Sequence, residues 1–303
     1  MNISKFVGIG VGEIHTTIGW AEAETKIVNV TYRAPTEKRV LQQIFREVDK
    51  LKDYEGIGVA IPGLLHPNKG IMHKARNLGI KNLPIAEILE KRYKVPVYVS
   101  NLSVACALGE KLFGAAKGYK DIVYVLLSAG IEAGVIMDDR VVIGKNGDAH
   151  EIGHTVIDAS SDVICGCGRK GHWEAFCSTG GIPTFAKHLL DTKYAGKDSA
   201  LRKVKDLDMY KIFKLAKKDK TAKAVVAEIG RLNTIGMANI TEIYDPQIIV
   251  LGGTLPMELE GQVLNPILRG IGKYTARLNK APKIVITSLG KKAVLYGAVV
   301  DFL

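Results

Sequence analysis

The chain carries only four cysteines in 303 residues, and two of them, Cys165 and Cys167, are separated by a single glycine. That spacing is too short for easy disulfide geometry, and Cys106 and Cys177 sit in apolar helical patterns, so no disulfide framework is expected. A reducing compartment, the cytoplasm, is the expected location. Long apolar runs are missing as well. The opening run Phe6-Val7-Gly8-Ile9-Gly10 is broken by glycines at once, and no stretch approaches the roughly 20 apolar residues of a membrane-spanning helix, so a membrane partner is not expected. Acidic residues are also in deficit, 31 against 42 basic ones, for a net charge of +11. Lysine and arginine displace counterions from phosphates, which raises the question of nucleic acid. The densest basic run, Arg202 to Lys223, alternates with Leu, Val, Phe and Ile at helical spacing, as the solvated face of an amphipathic helix does. Nucleic acid is therefore not an expected partner.

With 47% hydrophobic residues the chain can bury two ordinary cores. Two segments share one grammar. Phe6–Glu13 leads into Thr16–Ala21, and Ile122–Gly130 leads into Ala133–Met137; each is an apolar strand, a glycine-bearing turn and a second strand. Around them the periodicity predicts helices over Lys38–Leu51, Ile85–Arg92, Ser103–Ala115 and Ala293–Phe302, and strands over Gly56–Ile61, Val95–Val99, Ile248–Leu251 and Ile284–Thr287. An opening hairpin that recurs near the midpoint of an α/β chain implies two related domains across a cleft, with a hinge near Gly114–Lys120 and no low-complexity linker.

The most specific stretch lies between Glu151 and Glu174. It holds Glu151-Ile152-Gly153-His154 and then Cys165-Gly166-Cys167-Gly168-Arg169-Lys170-Gly171-His172-Trp173-Glu174. Two thiols and two imidazoles at such spacing can converge on one tetrahedral Zn²⁺, with glycines allowing the tight reversals.

These residues resemble the signature of the ROK family of sugar kinases and sugar-responsive repressors. The likeness continues through Ile61-Pro62-Gly63, Asn77-Leu78-Gly79, Ala107-Leu108-Gly109-Glu110, Gly252-Gly253 and Tyr296-Gly297-Ala298. It implies the actin-like ATPase, hexokinase-type α/β fold: a domain over 1–116, on which a C-terminal helix within 291–303 packs, and a second over 117–290 that carries the zinc and sugar motif. It further implies a structural Zn²⁺ on His154, Cys165, Cys167 and, in place of a third cysteine, His172. The sugar-contacting set would be Gly63, Asn101, Glu151, His154 and Glu174. Gly12, Gly130, Gly134, Gly252 and Gly253 would line a nucleotide site for ATP and Mg²⁺, and a homodimer is the expected assembly.

Departures from the family pattern fall in one place. Where its kinases carry an aspartate that takes the proton from the attacking sugar hydroxyl, this chain has Leu102, and a leucine accepts no proton. Where the first hairpin of those kinases reads Asp-x-Gly-Gly-Thr, Gly10-Val11-Gly12-Glu13-Ile14 stands, and the second phosphate turn contains Glu132. Phosphorylation is expected to be weak or absent, with an active glucokinase-like enzyme as the alternative. Repressor members carry a helix-turn-helix domain ahead of the kinase-like part, and with a first strand beginning by Phe6 the kinase branch is the expected one.

Overall fold

The computed structural model describes residues 4–66, 69–75, 78–276 and 281–303. Strand β1 (Lys5–Val11) folds back on β2 (His15–Glu22), with Gly8 opposite Gly19 and Val11 opposite Thr16. β3 (Val28–Pro35) extends this hairpin antiparallel, and β4 (Gly56–Ile61) pairs parallel on the other side of β1. β5 (Leu64–Leu65), β6 (Met72–Ala75) and β7 (Ile80–Leu83) form a separate antiparallel sheet. β8 (Val97–Asn101) then closes the first sheet in the order β3-β2-β1-β4-β8. Of the Asn77-Leu78-Gly79 match, Asn77 lies outside the described residues.

The period of two along β1 and β4 sorts their residues onto unlike faces. Val7, Ile9, Val11, Ile57, Val59 and Ile61 point into a core shared with Ile44 and Val48 of the helix Val40–Val48 and Leu89 of the helix Ile85–Tyr93. The alternate positions, Gly8, Gly10, Gly58 and Ala60, form a nearly flat face on which the helix Ala293–Ala298 lies. A Cβ on Gly10 would stand 2.7 Å from both methyls of Val294, and one on Gly58 would collide with the Ala298 carbonyl. The same helix approaches the helix Leu102–Phe113 closely, where Gly109 faces the Ala293 carbonyl and Gly297 the Ala105 carbonyl. The fully buried Glu110 carboxylate anchors the chain leading into it, accepting from Ala115 N–H at 2.7 Å, Leu289 N–H at 3.1 Å, Ser288 Oγ at 3.2 Å and Thr287 Oγ1.

The second sheet repeats the strand order of the first. β9 (Ile122–Leu127), β10 (Ile131–Met137), β11 (Arg140–Val141), β12 (Ile248–Gly252) and β13 (Lys283–Ile286) run β11-β10-β9-β12-β13, antiparallel at the β10–β11 edge and parallel at the β12–β13 edge. The helix Lys220–Tyr244 runs for 25 residues. Trp173 is buried over its Gly236 and donates Nε1–H to Asn233 Oδ1 at 2.9 Å.

Compactness divides the chain into one unit of Met1–Tyr124, Ala133–His150 and Thr287–Leu303, and another of Val125–Glu132 and Glu151–Ile286. This division differs from the expected 116/117 boundary. Gly134 of β10 packs directly on Ser103 and Ala107, which ties Ala133–His150 to the first unit.

Candidate zinc and sugar site

The ribbon that carries the sulfur ligands is built by backbone rather than by bulk. Cys165 N–H donates to the Arg169 carbonyl and Gly168 N–H to the Cys165 carbonyl, both at 2.8 Å, and single antiparallel bridges join Val156 to His172 and Ile164 to Lys170. Gly168 takes φ +89°, a region L side chains rarely adopt, and a Cβ on Gly171 would strike the Asp158 carbonyl. A 3₁₀ turn, Ile152–His154, delivers the remaining imidazole.

As a result one donor atom from each of His154, Cys165, Cys167 and His172 lies within 4.8 Å of all the others. His154 Nδ1 is 3.7 Å from Cys165 Sγ, and His172 Nδ1 is 3.2 Å from Cys167 Sγ. Donors on a tetrahedral two-nitrogen, two-sulfur zinc stand about 3.3–3.8 Å apart, so these four residues fit the ion. The outward nitrogen of His154, Nε2, lies 3.3 Å from Glu151 Oε2, the carboxylate–imidazole arrangement that fixes the tautomer of a ligating histidine. Burial, reinforced by the negative charges of Glu174 and Cys167, pushes the Cys165 thiol up to about 12. Burial, with His154 next in effect, holds His172 below the usual imidazole range, which keeps its lone pair available. A divalent cation reverses the Cys165 shift by favouring the thiolate.

Glu174 occupies the first turn of the helix Trp173–Cys177. Its Oε2 accepts from Ile131 N–H at 3.0 Å, while Oε1 lies 3.6 Å from Cys165 Sγ, so one carboxylate touches both the ribbon and the start of β10. Glu151, His154 and Glu174 are thereby gathered around the ligand set. Gly63 and Asn101 belong to the first unit. Gly63 takes φ +103° against the Lys74 carbonyl. Asn101 caps the helix Leu102–Phe113, its Oδ1 accepting from Ser103 N–H at 2.8 Å, Ser103 Oγ at 2.7 Å and Val104 N–H at 3.4 Å.

The glycines assigned to nucleotide have several duties. Gly12 N–H donates to the His15 carbonyl at 2.9 Å to close the first hairpin, and its own carbonyl accepts from Thr36 Oγ1 at 2.6 Å. Gly134 lies within β10 against Ser103 rather than in an open turn. Gly130 and Gly253 stay at loop ends. Ser128 N–H donates to the Gly130 carbonyl, and Gly253, at φ +93°, stands where a Cβ would meet the Leu127 carbonyl at 2.5 Å, directly after Gly252 ends β12. Ser178-Thr179-Gly180-Gly181 lies beside this loop: Thr179 N–H donates to the Ser128 carbonyl at 2.8 Å, and Ser128 Oγ is 3.1 Å from Thr254 Oγ1. Sequence reasoning missed that segment, although its Ser-Thr-Gly-Gly composition directly before a helix was the available signal.

The ROK family model matches residues 6–301. The chain belongs to the ROK family. A glucokinase of Pyrobaculum calidifontis is 32% identical over 249 residues, covering 81% of this chain and 78% of the glucokinase. The xylose repressor of Caldicellulosiruptor bescii is 27% identical over 304 residues, covering 98% of this chain and 73% of the repressor. Against the Bacillus subtilis xylose repressor, at 31% identity, the chain spans only 59% of the repressor's length. The ROK hexokinase of Thermus thermophilus superposes with a TM-score of 0.79 at 28% identity, over 97% of this chain and 96% of the hexokinase. The ROK glucokinase of Streptomyces griseus, solved with glucose and AMPPNP, shares the fold with a TM-score of 0.82 at 24% identity, over 98% and 99% of the two chains. This ROK chain is thus sugar-kinase-like, with relatives among both glucokinases and repressors. No helix among its described residues is long and apolar enough to cross a membrane.

Proposed function

We propose that this ROK protein binds a hexose or amino sugar beside a structural Zn²⁺, acts as a cytoplasmic homodimer, and has lost most or all ATP-dependent sugar phosphorylation. The observation that carries the loss is Leu102. It follows the capping Asn101 at the first position of the helix Leu102–Phe113 and is 8% exposed, and its side chain has no group to accept the sugar's proton. Support for zinc is the convergence of His154, Cys165, Cys167 and His172. Support for a sugar comes from relatives: the Streptomyces griseus glucokinase holds glucose, and a Streptococcus pneumoniae ROK protein of the same fold was solved with sucrose. Held by His154, Cys165, Cys167 and His172, zinc would give the ribbon a fixed point. Around it Glu151 and Glu174 offer oxygens that accept from paired sugar hydroxyls, and His154 is held by one carboxylate.

A second reading, an active hexose kinase with a different base, draws on the intact cluster of Ser128, Thr179 and Thr254 around Gly253. One experiment separates them: thermal shift over a sugar panel with and without ATP and Mg²⁺, followed by coupled assay of the sugars that raise Tm. Stabilisation by a sugar with no turnover is the expected result. Turnover on the order of 1–100 s⁻¹ overturns the loss of activity, and no shift with any sugar overturns the pocket. Metal analysis of purified protein should give about one zinc per chain and much less in Cys167→Ser; equal, near-zero content in both overturns the zinc site.

A further inference from the structure

The positive charge of the chain is not evenly spread. Residues 187–223 hold twelve of its 42 basic residues against five acidic ones, a net +7 out of +11 in 37 residues. The sequence pattern reads as one solvated helix face, yet the structure breaks the run into short pieces and knots them together. The 3₁₀ turn Ala200–Lys203 and the helix Met209–Leu215 precede the start of the helix Lys220–Tyr244. Asp219 joins two of these pieces, accepting from Ser199 Oγ at 3.0 Å, Ala200 N–H at 2.6 Å and Ala222 N–H at 2.8 Å. Thr221 Oγ1 adds a bond to the Asp198 carbonyl at 2.9 Å.

Apart from Lys193 and Lys211, this wiring leaves the lysines of the segment without an ion pair among the described residues. Asp219 is spent on backbone and hydroxyl donors, and Asp208 caps a helix and pairs with Lys211. Lys197, Lys214, Lys217, Lys218, Lys220 and Lys223 are exposed, and none makes an ion pair among the described residues. Four of them flank or begin the N-terminus of a 25-residue helix, where the helix dipole disfavours cations. Asp219 already caps that N-terminus, so the attraction for an anionic ligand there comes from the lysines themselves.

We infer that this face binds the phosphate backbone of duplex nucleic acid without reading its sequence. Lysine is depleted in protein–protein interfaces, which draw on arginine and aromatic anchors. The arginine of the segment, Arg202, is occupied by the carbonyls of Leu190, Tyr194 and Lys197, so no fork is left for bidentate contact with a base. An exposed aromatic, Tyr210, is hydrogen-bonded to Glu258 and offers little for insertion into a bilayer. Unpaired point charges on a segment tied together through Asp219 suit regularly spaced phosphates.

The test is fluorescence anisotropy of the full chain with mixed-sequence 30-base-pair duplexes across a salt series. With four to six phosphates neutralised, log K should fall against log salt with a slope of about −4 to −5, losing two to three orders of magnitude between 50 and 200 mM salt. Duplexes of different sequence should bind alike. Lys214→Gln, Lys217→Gln, Lys218→Gln and Lys220→Gln combined should flatten the slope by about 3–4, with Lys197→Gln plus Lys223→Gln as a milder pair if the quadruple variant misfolds. No binding at 50 mM salt, an unchanged slope in a folded quadruple variant, or binding to phosphatidylserine vesicles under conditions where duplex is not retained would each overturn the inference.

Discussion

Removing the Glu110 carboxylate is the most demanding test of how the C-terminal segment is held. Four donors converge on its two oxygens: two backbone N–H groups, Ala115 and Leu289, and two hydroxyls, Thr287 and Ser288. Hydrogen bonds to a charged group contribute about 1.5–3 kcal/mol each, but they share one acceptor and do not add in full. Glu110→Ala deletes the acceptor and leaves the two N–H groups without the partner they have now. A loss of about 3–5 kcal/mol follows, comparable to stripping one partner from a buried ionic network. For a unit of this size that lowers Tm by roughly 6–20 °C. Glu110→Gln should cost about half as much: its oxygen replaces one acceptor, while its NH₂ is set against an N–H or a hydroxyl. Calorimetry together with urea unfolding reads both variants. The reasoning is refuted if Glu110→Ala shifts Tm by less than about 2 °C, or if glutamine proves as damaging as alanine.

Three further outcomes are expected. Asn101→Ala should lose about 1 kcal/mol in urea unfolding through the missing helix cap while Asn101→Asp retains it; a sugar affinity unchanged in both removes Asn101 from the pocket. Leu102→Asp should raise coupled-assay turnover less than about tenfold, because Glu13, between β1 and β2, and Glu132, inside β10, remain as further departures from the family pattern; a gain of 10² or more would show that the missing base alone silences the chain. Burial raises the pKa of Asp219, but donation from Ala222 N–H, Ala200 N–H and Ser199 Oγ outweighs it and holds the carboxyl below its ordinary value. A depressed folded-state pKa contributes stability that is present above the unfolded value near 4 and lost as pH falls through the folded one. Urea midpoints should therefore drop more steeply below about pH 4 in the parent than in Asp219→Asn, and parallel pH profiles would contradict this.

Much of the scaffold is legible because its signals are local. The hairpin Lys5–Glu22, the buried strand Gly56–Ile61 and the helix starting after Asn101 all fall where apolar period and cap chemistry place them. β3 and the small β5–β7 sheet escaped for the opposite reason: their burial does not alternate, since His73 and Lys74 in β6 and Lys81 and Asn82 in β7 are exposed side by side and Val30 of β3 is exposed, so their strand character comes from pairing with neighbours rather than from pattern. The convergence of His154, Cys165, Cys167 and His172 was readable because all four lie within 19 residues, held by glycine turns that are themselves visible in sequence. Glycine misled elsewhere. Gly8 and Gly10 read as breaks in an apolar run, yet they make room for Val294, Leu295 and Val299, contacts some 285 residues away that no window could contain.

That long-range fit also sets an order of events during synthesis. β1 and β4 leave the ribosome well before residues 293–299, and the flat side of their sheet receives its helix only when those have been made. Until then the glycine and alanine surface of the first unit stands bare, and the Glu110 carboxylate waits for Thr287, Ser288 and Leu289. The first unit, begun at the N-terminus, is therefore finished last, and the second, whose segments all lie between Val125 and Ile286, emerges complete before it.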